Sequence, residues 1–286
     1  MLERWRELGG ERVAAIALDA RLPPELQAEL LPLALQAGLA CVEVAHPIRG
    51  WQRRRAASPI SADRGEREAA VLQLQATAQL AAEAGARRVL LFAGRLPLSS
   101  SRDDLAHRFA LGRPALAGLT EERTALAGPA LDHLCMVLDE VLPLCAALSL
   151  SLELSLPAAW PDQMPDVREA ESLLEVFRGA PLGACFGSDW AEVAGALAGT
   201  EPIEARRTPG LGCLRLADAC GLRQRLAPGV GEVRFERVLA GTGELDQVLA
   251  PGPDVWPAEV AAAVDLLDQL AAPVLSTSTS TSTVDG

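Results

Sequence analysis

Six side chains of this 286-residue chain have the types and positions to do chemistry at one site: Glu43, His46, Arg95, Glu153, Arg215 and Asp218. Arg215 stands three residues before Asp218, and a Gly229-Val230-Gly231-Glu232 turn follows. The planar fork of an arginine matches a carboxylate or a phosphate and does not lose its proton. Arg215, with Glu43, Arg95 and Asp218, therefore marks out a place for a small anionic ligand. An imidazole such as His46 ordinarily titrates near neutrality, and Glu153 with His46 would form the opposed acid and base of a two-base proton transfer. A plainer account uses the same residues. Arg215 would balance Glu153 and Asp218 in a buried ion-pair cluster, because an unpaired buried carboxylate is costly, and His46 would be a structural group. Both accounts require these residues at the ends of neighbouring strands.

The elements that would position them alternate in type. Short apolar, strand-like runs cover Val13 to Leu18, Ala40 to Val44, Arg88 to Phe92, Leu148 to Leu154, Leu182 to Phe186, Cys213 to Ala217 and Gln247 to Leu249. Longer stretches of helical periodicity separate them, over Pro24 to Ala37 (with Pro32 as a kink), Arg64 to Ala84, Pro129 to Ala146, Val167 to Arg178, Asp189 to Leu197, Val233 to Leu239 and Pro257 to Leu270. Strand and helix in alternation predict a parallel sheet wrapped by helices. Arg95 to Ala127 is a long connection, suited to a lid or binding loop or to a surface insertion. The Ser/Thr alternation from Ser276 to Thr283 has no apolar content, so 273–286 is expected to be a disordered tail behind one domain over 1–272.

Composition narrows the classes. Hydrophobic residues make up 49% of the chain, enough for one large core. The formal net charge of −12 opposes a nucleic-acid partner, which is gripped by clustered basic residues; the run Arg53, Arg54 and Arg55 is expected to be a solvated face, with phosphate binding as the alternative. Lys, Asn and Tyr are absent, in keeping with a compositional bias toward Ala, Leu, Arg and Gly. Six cysteines without a C-x-x-C pair predict buried thiols in a reducing, cytoplasmic setting. No run is apolar over a membrane-spanning length, so no membrane partner is expected.

Several phrases in order resemble the xylose isomerase-like TIM barrels, a superfamily of sugar isomerases, sugar-phosphate epimerases and endonuclease IV. They are Ala37-Gly38-Leu39-Ala40-Cys41-Val42-Glu43-Val44, Glu83-Ala84-Gly85 through Phe92-Ala93-Gly94, Leu150-Ser151-Leu152-Glu153, and Leu211 to Leu239 with its Gly-x-Gly-Glu turn. The resemblance implies an α/β fold of TIM (β/α)8 type. Ala45 to Ala62 is too short for a full helix and strand, so one unit around 45–62 is expected to be missing or distorted, with a residual strand over Ala56 to Ile60. The family's divalent metal is held by a glutamate, an aspartate, a histidine and a glutamate on its last four strands. Here only Glu153 matches. The sixth strand reads Gly187-Ser188-Asp189-Trp190, with Asp189 where a helix N-cap is wanted; the histidine position holds Arg215, and Ala250 stands for the last glutamate. No metal or other cofactor is therefore expected. The function implied is that of a sugar phosphate isomerase/epimerase-like barrel binding a small sugar-like or anionic ligand without metal-dependent turnover. The alternatives are an active isomerase or epimerase with a relocated site, or a non-catalytic interaction module with a homo-oligomer contact.

Overall fold

The computed structural model describes residues 15–19, 32, 36, 40–46, 57–242, 245–252 and 254–271. Its centre is a seven-stranded sheet of β1 (Ala15–Asp19), β2 (Ala40–Ala45), β3 (Arg88–Leu91), β5 (Ser151–Leu156), β7 (Leu182–Gly187), β8 (Leu211–Leu216) and β11 (Asp246–Leu249). They are hydrogen-bonded in that order, and every pair is parallel. Each of the seven strand-like runs is a strand. Four short segments make two antiparallel ribbons, β4 (Gly94–Arg95) with β6 (Gln163–Met164) and β9 (Asp218–Cys220) with β10 (Arg223–Leu226).

The helices are α1 (Arg64–Glu83), α2 (Arg102–Ala110), α3 (Thr120–Ala147), α4 (Val167–Val176), α5 (Ser188–Ala198), α6 (Phe235–Leu239) and α7 (Pro257–Ala271). Alternation of side chains along each strand turns Val89, Leu91, Leu152 and Leu154 outward, where they pack with Leu74, Ala78 and Ala81 of α1 and Leu134, Val137, Leu138 and Val141 of α3. Phe186, Leu214 and Leu216 do the same with Phe235, Val238 and Leu267. The opposite faces of the strands fill the lumen.

β2 pairs directly with β3, Glu43 opposite Arg88, Val44 opposite Val89 and Ala45 opposite Leu90. No strand lies between them, so the barrel lacks one βα unit where the chain was too short to supply it. The residual strand expected over Ala56 to Ile60 is not formed: 57–60 is coil and turn, and these residues are buried at the site of the missing unit. Ala56, the tail 273–286 and most of the Pro24–Ala37 helix lie outside the described residues; Pro32 and Gln36 are helical.

The 95–127 connection is largely structured. Ser101 and Asp104 close a reciprocal capping box at the start of α2, and α3 begins nine residues before Pro129, which sits inside it with Pro143. A proline removes a helical N–H bond, but tertiary anchoring holds the extra turns. Arg123 donates to both oxygens of Glu169, at 2.7 and 3.0 Å, and to the Pro161 carbonyl at 3.0 Å.

Candidate functional site at the carboxyl end of the barrel

Inward positions of the strands place a column of ionisable groups in the lumen. At the amino-terminal end, buried Arg88 of β3 pairs with Asp246 of β11, which also accepts from Arg87 at 2.9 Å. Glu153 of β5 lies next, pressed against the bare backbone of Gly183 and Gly212. A Cβ on either glycine would come within 2.5 or 2.7 Å of its carboxylate. One Glu153 oxygen accepts from the Ser151 hydroxyl at 2.6 Å, and the other is buried without a hydrogen-bond partner. Burial raises the Glu153 pKa, opposed by the Ser151 bond and by Arg88, and assisted by Glu43.

Higher in the lumen, Arg215 of β8 donates to the Oε1 of Glu43 on β2. Glu43 is fully enclosed. The expected partners of Arg215 were Glu153 and Asp218, but neither forms an ion pair with it among the described residues. Burial opposes the Arg215 charge, and Glu43 together with Cys185, Asp189 and Cys213 more than restores it. Above this pair stands Asp189, the second residue of α5. It was expected to be the N-cap, yet that position belongs to Gly187, which caps without a side-chain bond. Asp189 is buried instead, one of its oxygens lacks a hydrogen-bond partner, and burial moves its pKa to about 6 against the pull of Arg215 and Arg225.

Asp218 serves the turn that follows it. Its Oδ2 accepts the N–H groups of Gly229 and Gly231 at 2.9 and 2.8 Å, and its Oδ1 those of Val233 and Ala219 at 2.9 and 2.8 Å. Gly231 must be glycine here, since a Cβ would lie 2.3 Å from the Ala219 carbonyl oxygen and 2.5 Å from Asp218. The Gly-x-Gly-Glu turn and the aspartate are thus one device, and every oxygen of that carboxylate is occupied by backbone.

His46 is three residues past Glu43, an odd step that puts the two on opposite faces of an extended chain. Its Nδ1 meets the Thr77 hydroxyl of α1 at 3.0 Å. That hydroxyl donates to the Gln73 carbonyl at 2.9 Å, so Nδ1 carries the proton, and the enclosed Nε2 has no hydrogen-bond partner. Burial lowers the His46 pKa to about 4. Glu153 in the lumen and His46 under α1 are not brought together.

The mouth is closed by an aromatic pair. Phe92 and Trp190 meet edge to face with centroids 5.4 Å apart and ring planes at 74°, an arrangement favoured by the ring quadrupoles. The Trp190 indole lies directly over Gly187, where a Cβ would fall 2.2 Å from the ring. Beside the pair lies a narrow cavity of about 20 Å³ bounded by Arg95, Ser155, Gln163, Met164 and the two aromatic rings. The β4–β6 ribbon supplies Arg95 and Gln163 to this wall. Arg95 reaches Asp162 only at 3.8 Å, whereas Arg102 grips Asp162 with three donor contacts of 2.8 to 3.1 Å. Two guanidiniums thus share one carboxylate. Burial and the charge of Arg102 both lower the Arg95 pKa, so an added anion would relieve it.

The metal quartet implied by the family does not suit these residues. The seventh-strand position carries a fixed cation bonded to Glu43, and Ala250 offers at the eighth only backbone, its N–H bound to the Leu216 carbonyl at 2.9 Å. Glu153 alone would not strip the hydration shell of a hard divalent ion.

No protein-family model matches the chain, and no curated protein sequence matches it. Solved structures do. An L-ribulose 3-epimerase superposes with a TM-score of 0.65 at 14% identity, over 94% of this chain and 88% of that one. A D-psicose 3-epimerase from Clostridium cellulolyticum H10, solved with D-tagatose, gives 0.63 at 13% identity over 94% and 92%. A xylose isomerase domain protein from Planctomyces limnophilus gives 0.61 at 15% identity over 94% and 91%. At these identities the likeness is one of fold, and it agrees with the phrases in the sequence: the chain has the fold of the xylose isomerase-like TIM barrels.

Proposed function

We propose that this barrel binds a small carbohydrate-like ligand bearing an anionic group at its carboxyl-terminal mouth, without turnover that depends on a divalent metal. One observation carries the reading: the cavity beside Trp190 and Phe92 has the loosely held guanidinium of Arg95 on its wall. Its volume of about 20 Å³ holds little more than one water molecule, so a ligand enters as the Phe92–Trp190 pair moves aside. Aromatic faces accept the apolar face of a sugar ring, Ser155 and Gln163 offer hydrogen bonds, and the arginine fork matches a phosphate or carboxylate. That the structures sharing the fold include sugar epimerases supports the carbohydrate class. The pairing of Arg215 with Glu43 supports the absence of the family's metal chemistry, since the position of a ligand is taken by a cation.

Titration calorimetry with a hexulose, its 6-phosphate and inorganic phosphate tests this. The phosphate ester should bind more tightly than the free sugar. Arg95→Gln should weaken the ester about tenfold or more, the size of one charge-assisted hydrogen bond, and leave the free sugar nearly unchanged. A chelator should have no effect. Failure of all three probes to bind, or an epimerase activity that appears with manganese and disappears with chelator, would overturn the reading.

A further inference from the structure

We propose that Glu43, Cys185 and Cys213 form a binding site for a thiophilic divalent cation, zinc by its chemistry, inside the barrel and below the mouth. A carboxylate oxygen of Glu43 and the two sulfur atoms lie within 4.8 Å of one another, and all three residues are buried. Among the described residues this is the one such group. The sheet builds it: Cys185 of β7 and Cys213 of β8 are register partners, both turned inward, and Glu43 reaches toward them from β2.

Zinc bonds to sulfur at about 2.3 Å and to oxygen at about 2.0–2.2 Å. Donors around one tetrahedral ion therefore stand about 3.5–4 Å apart by that geometry, and the observed spread of 4.8 Å closes with small side-chain movements. A second observation points the same way. Glu43 gives Oε1 to Arg215, while its Oε2 is enclosed and has no hydrogen-bond partner. A buried carboxylate oxygen without a partner is costly, and a cation would satisfy it.

Charge also balances. With both thiols protonated, Glu43 and Arg215 sum to zero; a divalent ion that displaces the two thiol protons leaves the total unchanged, so no net charge is added to the low-dielectric lumen. Two guanidiniums border the site, Arg215 on Glu43 and Arg88 beside Cys213. Two sulfur donors favour zinc or cadmium over magnesium or manganese, which separates this site from the hard-ion site of the fold's relatives. Leu90, Phe92 and Trp190 pack over the sulfurs, so the ion enters as the chain folds or as the aromatic pair opens. The inference stands apart from the ligand reading, and neither experiment decides the other.

The full-length chain, purified from zinc-supplemented culture and passed through a desalting column, should retain one zinc per molecule. X-ray absorption at the zinc edge should show two sulfur neighbours, and cadmium should give a thiolate charge-transfer band in the ultraviolet. Cys185→Ser and Cys213→Ser should each lower cadmium affinity at least tenfold, while Cys135→Ser, on the half-buried face of α3, should leave it unchanged. No retained zinc with no cadmium band, zinc bound only through oxygen or nitrogen, or undiminished binding in both serine variants would each overturn the proposal. The wild-type absorption spectrum decides the matter even if the serine variants fail to fold.

Discussion

Arg215 and Glu43 join β8 to β2 across the barrel interior, between residues 172 positions apart in the chain. The pair sets a fixed positive charge against a fully enclosed carboxylate. Its value to stability is asymmetric: removing one partner strands the other's charge, whereas removing both costs little. Arg215→Met should therefore destabilise the chain by about 3–5 kcal/mol in denaturant titration, and the double variant Glu43→Gln with Arg215→Met should recover most of that loss. Equal losses in the single and double variants would show that the pair contributes nothing beyond packing.

The frame of this site was legible in the sequence, and its pairing was not. Periodicity located all seven sheet strands, because apolar strands and amphipathic helices repeat with different periods, and the short 45–62 segment announced the missing unit. The strand parity that sends His46 to Thr77 was also available, since an odd step from Glu43 reverses the face. Which inward residue meets Arg215 depends on the stagger and curl of the whole sheet, which bring β8 to face β2. No local pattern records it. The Asp189 position was misread for a related reason: a polar residue before a helix suits an N-cap, but Gly187 already holds the extended cap conformation and leaves Asp189 facing the lumen. The Ser101-x-x-Asp104 box, by contrast, was a local signal for α2 within the long connection.

Asp189 and His46 should pull the pH dependence of stability in opposite directions. The folded-state pKa of Asp189 is raised from 3.8 to about 6, so its contribution is fully present below pH 4 and is lost as pH rises through 6. That of His46 is lowered from 6.5 to about 4, so its contribution is present above pH 6.5 and is lost as pH falls through 4. Each shift corresponds to about 3 kcal/mol at 1.36 kcal/mol per unit, and in the wild-type chain the two nearly cancel between pH 4 and 6. Asp189→Asn should leave a stability that rises with pH across this window, and His46→Gln one that falls. Urea midpoints at four pH values read the slopes; identical slopes in the two variants would refute the assignment.

The bonding of Asp218 to the turn gives a prediction about local order. Asp218→Asn keeps the size but replaces one acceptor oxygen with a donor, which then faces backbone N–H groups of Gly229 and Gly231 or of Val233 and Ala219. Buried donors without acceptors cost about 1–3 kcal/mol each. Hydrogen exchange at Gly229, Gly231 and Val233 should accelerate together, with global stability lowered by a similar amount. Unchanged protection at all three amides would mean that the turn does not need the carboxylate.

Gly187 and Trp190 give the sharpest steric test. A Cβ at position 187 would stand 2.2 Å from the indole, a separation no side chain tolerates, so Gly187→Ala must push Trp190 off the end of β7 and break its edge contact with Phe92. Overpacking of this kind costs about 1–3 kcal/mol, and the tryptophan near-ultraviolet circular dichroism should change with it. Trp190→Ala removes the obstacle, so Gly187→Ala added to Trp190→Ala should cost much less than it does alone. Because the same ring bounds the mouth cavity, Gly187→Ala should also weaken sugar-phosphate binding without touching Arg95. A Gly187→Ala penalty that is the same with and without Trp190 would place the strain in the backbone of β7 and not in the aromatic lid.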